Sequence, residues 1–567
     1  MAAEKQEAIK LWDVIPGYDF NEEVDVKESG TYFFDGTHSV PRWTPMSSWF
    51  WNRYCGYSFQ YAAEFLSIPR FKGFTERDKN GASYLGMRIV RDEAEIARRA
   101  EGFKKAIAVW IEDFDGQWRG YRDELVKMYD NLRALDLDKA TNIDLMHHLW
   151  DMISMYRRMW EIHSLGLEAS YAGFYLLEEL VAKYGLTTES PEFQNLFRGF
   201  DNEVFRVDKQ LCELGKKAIE MGFGDMFLNN TPEDVLAKLE ESDKGKKWLK
   251  EFQAFLNVNG WRMVRMSDLD EPYWLEYPAA AIVPIQTFIK KGASYDLDNV
   301  RQNLAKEREK AVAALMQKVP EEEKEWFLAL IKLGQKHSTY SEEHDLYCEL
   351  QAHAMLRRGF LGIGRRLAQA GTIDKPEDVF FLNPDEVEMV MLGPEFHKLQ
   401  YIANRRRAQW EKWKFAPNEP VYTRRASFEE AVGMDLIPSR DPVIIKVVVG
   451  EIPKRKEELK ADIYGVCGAP GVAEGVARVV MSYDELKQVK PGEILVCPGT
   501  NPAWTPVFGL VKAVVSDRGG TLSHAAIVGR EYGLPTVVNT FVGTATIKTG
   551  QRIKVDATQG AIFFLDK

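Results

Sequence analysis

Near residue 463 the apolar residues of this sequence change their spacing, and that change limits the folds open to the chain. Upstream, AEIARRAEGFKKAIAVWIEDF and LMHHLWDMISMYRRMWEIHSLGLEASYAGFYLLEELVAKYG repeat apolar side chains every three or four residues, the period of a helix face. Downstream come short β-branched runs broken by glycine and proline: VARVVM, EILVC, KAVVS, TVVN and RIKVDA. Each reads as a strand. One helix is expected among them, at about 523–532. A chain of 567 residues also exceeds what one hydrophobic core supports. The expected fold is therefore multidomain: a mostly α-helical N-terminal region over 1–415, a linker over 416–462, and a small α/β domain over 463–567. The aromatic first 90 residues or so, with prolines and glycines, read as loops and short helices. Asn230 or Thr231 is expected to cap a helix at PEDVLAKL. Gly371 is expected to close another in the left-handed conformation.

The net charge of −11 argues against nucleic acid or an anionic membrane as partner, since both need clustered positive charge. The small basic clusters Arg405-Arg406-Arg407 and Lys454-Arg455-Lys456 read as solvated surface. Cys55, Cys212, Cys348, Cys467 and Cys497 are far apart and form no CxxC. Neither disulfides nor a zinc site is expected, and a reducing cytoplasm is the expected compartment. The first residues lack the apolar centre of a signal peptide. No apolar run reaches the ~20 residues of a membrane span. With 15 tryptophans, the chain has material for an aromatic pocket.

The stretch GGTLSHAAIVGREYGLP, 519–535, holds one histidine, His524, where a strand and a turn meet a helix. Gly519 and Gly520 let the backbone turn sharply and approach a ligand. The first N–H groups of a helix are unpaired and the dipole is positive there, so a phosphate is stabilised. Thr521 and Ser523 can donate hydrogen bonds and Arg518 can supply charge. A histidine here is placed to accept a phosphoryl group. The same residues also fit a plain capping loop.

Extended to GGTLSHAAIVGREYGLPTVVN, this stretch resembles the mobile phosphohistidine domain of the PEP-utilising enzymes, a group that includes pyruvate phosphate dikinase, phosphoenolpyruvate synthase and rifampin phosphotransferase. The resemblance covers 463–567, with GAPGVAEGVARVV, PGEILVCPGTNPAWTPVF and GQRIKVDATQGAIFFL. It implies that His524 is the phosphorylated residue and that the domain swivels between two distant sites.

A carrier needs a donor and an acceptor. In the family the donor is ATP on an ATP-grasp domain, or phosphoenolpyruvate on a C-terminal barrel. Too few residues follow His524 for a barrel of ~250 residues, and no phosphate-cradling glycine loop stands upstream. The nucleotide domain is therefore expected on a separate ATP-grasp subunit, like the N-terminal part of PEP synthase, which would bind ATP and Mg²⁺. Neither a tightly bound organic cofactor nor a metal site is expected in this chain. FDGTHSVPRWTPM, FLNVNGWR and RRLAQAGTIDKPEDVFFLNPDEV are similar to the acceptor-binding domain of rifampin phosphotransferases. The layout is similar to the acceptor subunit of two-chain aryl phosphotransferases, the phenylphosphate synthases and the 4-hydroxyphenylketone (acetovanillone-type) phosphotransferases. That likeness implies transfer to a phenol, ATP giving AMP and phosphate, within catabolism of aromatic, lignin-derived compounds. Two alternatives stay open: a split rifampin-type antibiotic phosphotransferase, and a non-catalytic regulatory protein with a phosphorylatable domain.

A phenol acceptor needs a flat apolar slot and a base near its hydroxyl. Trp49, Trp51, Tyr54 and Tyr57, in the richest aromatic tract, are candidates for the slot; ordinary helix packing is the alternative. Among the histidines, His38 in the motif DGTH and His344 in SEEHDLY, at an expected helix start, rank together ahead of His163. His147 and His148 read as surface, and His337, His353 and His397 have no motif around them. Tyr340, His344 and Tyr347 would share a helix face, with Glu343 adjacent. Arg262 is a candidate for orienting the phosphoryl group, or for a salt bridge with Asp268 or Asp270.

Overall fold

The computed structural model describes residues 31–36, 38–39, 41–187, 190–264, 268–416, 421–422, 425, 427–440, 453, 457–481, 483–500 and 504–566. Part of the expected linker, including IIKVVVG and Lys454-Arg455-Lys456, lies outside them. The helices used below are α1 (Pro45–Phe65), α2 (Glu93–Ala134), α3 (Asn142–Ala182), α4 (Glu203–Glu220), α5 (Leu297–Met316), α6 (Lys324–His344), α7 (Gln351–Gln369) and α8 (His524–Glu531). The strands are β1 (Tyr32–Phe34), β2 (Phe71–Lys79), β3 (Ala82–Ile89), β4 (Val421–Tyr422), β5 (Ile463–Tyr464), β6 (Val466–Ala469), β7 (Val472–Val479), β8 (Ile494–Cys497), β9 (Ala513–Ser516), β10 (Thr536–Val538), β11 (Arg552–Asp556) and β12 (Ala561–Phe564). The chain forms two compact units, one of Met1–Glu168, Met266–Glu271 and Tyr347–Asp441, the other of Ala169–Arg265, Pro272–Leu346 and Pro442–Lys567. A mostly helical N-terminal region and a small α/β C-terminal domain are thus what the chain contains.

In the first unit, β2, β3, β1 and β4 make an antiparallel sheet in that order. This corrects the expectation of loops and short helices for the first 90 residues. Asn80 and Gly81, with φ of 55° and 80°, join β2 to β3. Both residues of such a hairpin turn need positive φ, which Asn-Gly supplies. A β-carbon on Gly81 would stand 2.5 Å from the Trp43 carbonyl oxygen, so the turn also presses on the entry to α1. That 21-residue helix buries Trp49, Phe50, Trp51 and Phe59. The basic cluster is solvated only at Arg405: Arg406 is buried and pairs with Glu386 at 2.7 Å, and Arg407 pairs with Asp378 at 2.6 Å. Asn383 caps the helix Pro384–Val390 in a capping box with Glu386, and Gly371 takes φ of 71°.

The second unit holds an eight-stranded sheet in the order β5-β12-β11-β7-β8-β9-β10-β6. Its centre, β7 through β10, is parallel. The period of two is visible in β9: Val514 joins the core on one face, Ala513 and Val515 the core on the other. Helix α8 packs on the Val514 side through Ala525, Ala526 and Val528. Sequence reading found the five central runs and overlooked β5, β6 and β12, two to four residues long. The helical part of this unit has its own core around Trp248, Phe252 and Ile285, and Tyr532, just past α8, packs against it. Thr231 caps its helix by accepting from the Asp234 N–H.

Candidate active site

Strand β9 delivers the chain to the turn ahead of α8, and side chains pin that turn. The Asp517 carboxylate accepts from Thr540 Oγ1 at 2.9 Å and from the Thr544 N–H at 3.1 Å. Gly519 has φ of 101°, and a β-carbon there would lie 2.5 Å from Ser523 Oγ. Ser523 Oγ donates to the Gly520 carbonyl at 2.8 Å. It therefore does not cap α8. The first N–H groups and the helix dipole leave this end suited to an anion. Thr521 is buried and its carbonyl accepts from Arg530 at 2.7 Å; Arg518 is half-buried.

His524 is the first residue of α8, its side chain 7% exposed. Two hydroxyls hold its ring: Thr500 Oγ1 lies 2.8 Å from Nδ1 and Thr505 Oγ1 lies 3.1 Å from Nε2. Phe508 meets the ring edge-on at 6.1 Å. Burial pushes the imidazole pKa down to about 3, so the ring is neutral at physiological pH. Each hydroxyl can donate or accept, so the two threonines together fix which ring nitrogen carries the proton. Neither threonine was singled out from the sequence, although both lie in PGTNPAWTPVF.

Across from Nε2 stands Glu342 of α6, its Oε2 3.8 Å away. Glu342 is 1% exposed, and neither of its carboxyl oxygens has a hydrogen-bond partner. Burial first, then the charges of Glu531 and Asp208, push its pKa up to about 8, while Arg262 and Arg530 oppose the rise. Burial likewise raises Asp208 and Glu531, each to about 7. The sequence reading stopped one residue away, at the half-buried Glu343. The signal was present: Phe327, Leu330, Ile331, Gly334, His337, Ser338, Ser341 and Glu342 form one buried stripe along α6.

Three consecutive residues, the last two of α8 and the one after it, hold the small α/β domain against the helices. Arg530 donates to the Gly468 and Thr521 carbonyls at 2.7 Å each, to Gln194 Oε1 at 2.9 Å and to the Phe197 carbonyl at 3.3 Å. Glu531 accepts the N–H groups of Gly199 and Phe200 at 2.8 and 3.0 Å. Tyr532 donates to Asp208 at 2.7 Å. Beside His524 these elements line a small cleft, whose lining includes Thr505, Glu342, Asp208, Glu531, Arg301 and Phe205.

The remaining sequence candidates fall in both units. His344 is at the C-terminal end of α6, not at a helix start. Its ring stacks on Tyr340 at 5.1 Å, Nδ1 lies 3.1 Å from the Tyr340 carbonyl, and Nε2 lies 3.2 Å from Asp345. Arg262 is buried, with its guanidinium 5.3 Å over Trp274. In the first unit, His38 and Trp51 come together at 4.8 Å, and Trp51 meets Trp43 and Trp160 at the same separation. His38 Nδ1 lies 2.8 Å from Asp35. Burial alone would lower its pKa, but the Asp35 carboxylate holds it up to about 9. Trp49 donates to Asp385 at 3.0 Å and packs edge-on against Tyr54, which packs on Tyr156. Tyr347 lies edge-on to Trp118 and under Arg122. His163 is bound to Glu349 at 3.0 Å. His148 is buried, not on the surface, and burial lowers its pKa to about 4.

Comparison with known proteins bears on the site directly. Residues 489–560, which include Thr500, Thr505 and His524, match the model of the PEP-utilising enzyme mobile domain. The chain carries the mobile domain of the PEP-utilising enzymes. Residues 163–342, which end on Glu342, match the fourth domain of rifampicin phosphotransferase. An uncharacterized phosphotransferase of Bacillus subtilis (strain 168) is 31% identical over 377 residues, 66% of this chain and 43% of that protein. The rifampicin phosphotransferase of Bacillus cereus is 27% identical over 59% of this chain and 37% of its own length. A probable phosphoenolpyruvate synthase of Pyrococcus abyssi is 36% identical over 128 residues, 23% of this chain and 16% of that protein. The chain thus spans less than half the length of these relatives. Among the described residues, no helix is long and apolar enough to cross a membrane.

Proposed function

We propose that this chain is the phosphohistidine-carrying, acceptor-binding part of a dikinase-like phosphotransferase, with His524 as carrier and a phenolic hydroxyl as acceptor. The observation that carries the reading is the setting of His524: a buried imidazole, held by Thr500 and Thr505, at the first residue of α8. A separate ATP-grasp subunit would bind ATP with Mg²⁺, yielding AMP and phosphate, in the cytoplasm. That nucleotide is a substrate handled elsewhere, and the described residues contribute the receiving nitrogen. With the ring proton on Nδ1, toward Thr500, Nε2 attacks as a lone-pair donor. The helix N–H groups, with Thr521 and Arg518 beside them, stabilise charge on the three equatorial oxygens.

The second half-reaction is testable in this chain alone, because transfer from carrier to acceptor is reversible. The purified protein is incubated with Mg²⁺ and a panel of aryl phosphates; phenol release and the site of phosphorylation are followed by peptide mass. Labelling of His524 by a subset of esters is expected. Absence of labelling from every ester, in folded protein, refutes the phenolic acceptor. The match of 163–342 to rifampicin phosphotransferase supports a second reading, an antibiotic acceptor. Its arm is rifampicin phosphate as the donor in the same assay.

A further inference from the structure

We propose that the cleft beside His524 is the acceptor site and that Glu342 takes the proton of the acceptor hydroxyl. The inference rests on the phosphoryl-transfer reading above. A buried carboxyl with no hydrogen-bond partner is costly unless an occupant supplies one. Both oxygens of Glu342 are in that state, in a side chain 1% exposed, and one of them stands 3.8 Å from Nε2. Two more buried atoms of the same lining have no partner, Glu531 Oε1 and Arg301 Nε. Phe205, Leu297 and Val528 supply apolar wall, and the Arg301 guanidinium lies 5.2 Å over the Phe205 ring.

That set of groups defines an occupant. It needs a hydroxyl as donor to Glu342, a flat apolar body for the wall at Phe205, and an accepting group for Arg301. A phenol carrying a carbonyl substituent meets all three. As the O–P bond forms, the P–Nε2 bond breaks and its electron pair returns to Nε2. The hydroxyl proton passes to the Glu342 carboxylate, and Nδ1 keeps its proton on Thr500. The charged groups around Glu342 are Asp208, Arg262, Arg530 and Glu531, with His524 opposite.

In reverse, Glu342 protonates the departing phenolate, and that dependence separates chemistry from packing. The full chain is labelled with phenyl phosphate, 4-acetylphenyl phosphate and 4-nitrophenyl phosphate, as wild type, Glu342→Gln, Leu297→Trp and Arg301→Met. Phosphoramidate, a phosphoryl donor too small to need the cleft, is the control. Glu342→Gln is expected to slow labelling from phenyl phosphate by about 100-fold. It should barely affect 4-nitrophenyl phosphate, whose leaving group needs no proton. Leu297→Trp should abolish labelling from all three esters, and Arg301→Met should remove any preference for the acetyl ester. Phosphoramidate should label His524 of the wild type, and circular dichroism checks that each variant is folded. Equal labelling of wild type, Glu342→Gln and Leu297→Trp by aryl esters overturns this inference and leaves the carrier reading standing. If phosphoramidate labels His524 and no aryl ester does, the phenolic reading fails and this inference fails with it.

Discussion

His524 should stay neutral at a pH where an ordinary histidine is almost wholly charged. A free imidazole of pKa about 6.5 is only about 3% neutral at pH 5. With its pKa pushed down to about 3 by burial, His524 is about 99% neutral there. The difference corresponds to about 5 kcal/mol at ~1.36 kcal/mol per pH unit. The side chain is 7% exposed, so solvent screening takes little from that figure. Its contacts agree: two hydroxyls touch the ring, and the nearest carboxyl, Glu342, is itself pushed toward its protonated form. The sign follows from linkage. A histidine with a lowered pKa favours the state that buries it at neutral pH. That advantage declines as pH falls below about 6.5, by ~1.4 kcal/mol per unit, until about pH 3. By pH 5 about 2 kcal/mol of the docked state's advantage from this residue is gone. The assay is nitrogen NMR of protein labelled at histidine, titrated from pH 8 to 5. His524 should show one protonated nitrogen, Nδ1, and one bare nitrogen, Nε2, throughout. Thr500→Val should weaken the preference for Nδ1. Two protonated nitrogens on His524 at pH 6, in folded protein, would refute the argument.

Other outcomes follow from the same geometry. His38, held up to about 9 by Asp35, stabilises its unit fully below pH 6.5 and loses that contribution as pH rises through 9; thermal melts should show a fall over this window that is smaller in His38→Gln. Glu76, raised to about 8 by burial, acts in the same direction, so part of the fall should persist. Arg530→Met leaves three buried carbonyls without their charged donor. It should cost ~3–5 kcal/mol, read as faster amide exchange over 519–523. Gly81→Ala forces a β-carbon to 2.5 Å from the Trp43 carbonyl at positive φ. It should destabilise by ~1–3 kcal/mol, measured by denaturant unfolding.

The C-terminal domain was legible because its central strands are β-branched runs of four to six residues with glycines and prolines in the stretches between them. Ile494–Cys497 and Ala513–Ser516 differ from their expected bounds by a single residue. Ile463–Tyr464, Val466–Ala469 and Ala561–Phe564 were missed because each holds only one β-branched residue. Ala82–Ile89 was missed for another reason. Tryptophan and tyrosine dominated the reading of the N-terminal tract, and the Asn80-Gly81 turn went unused. The carrier was readable because glycines, hydroxyls and histidine are adjacent in sequence. Glu342 was not, since it lies 182 residues from His524 and only the fold brings it opposite the ring. Thr500 and Thr505 sit nearer, but nothing local marks a threonine as the group that orients an imidazole.

Helix α8 works as a short lever. Its N-terminal end carries His524, the proposed carrier, and its C-terminal end carries Arg530 and Glu531, with Tyr532 next in the chain. At 1.5 Å per residue the two ends are about 10 Å apart. A rotation of ~30° about the gripped end would move the imidazole roughly 5 Å, enough to clear Glu342 altogether. Small changes in the hold on Gln194, Gly199 and Asp208 are thereby magnified at the one atom where position decides reaction. Selection on the rate of this protein would therefore act as strongly on the grip as on the histidine.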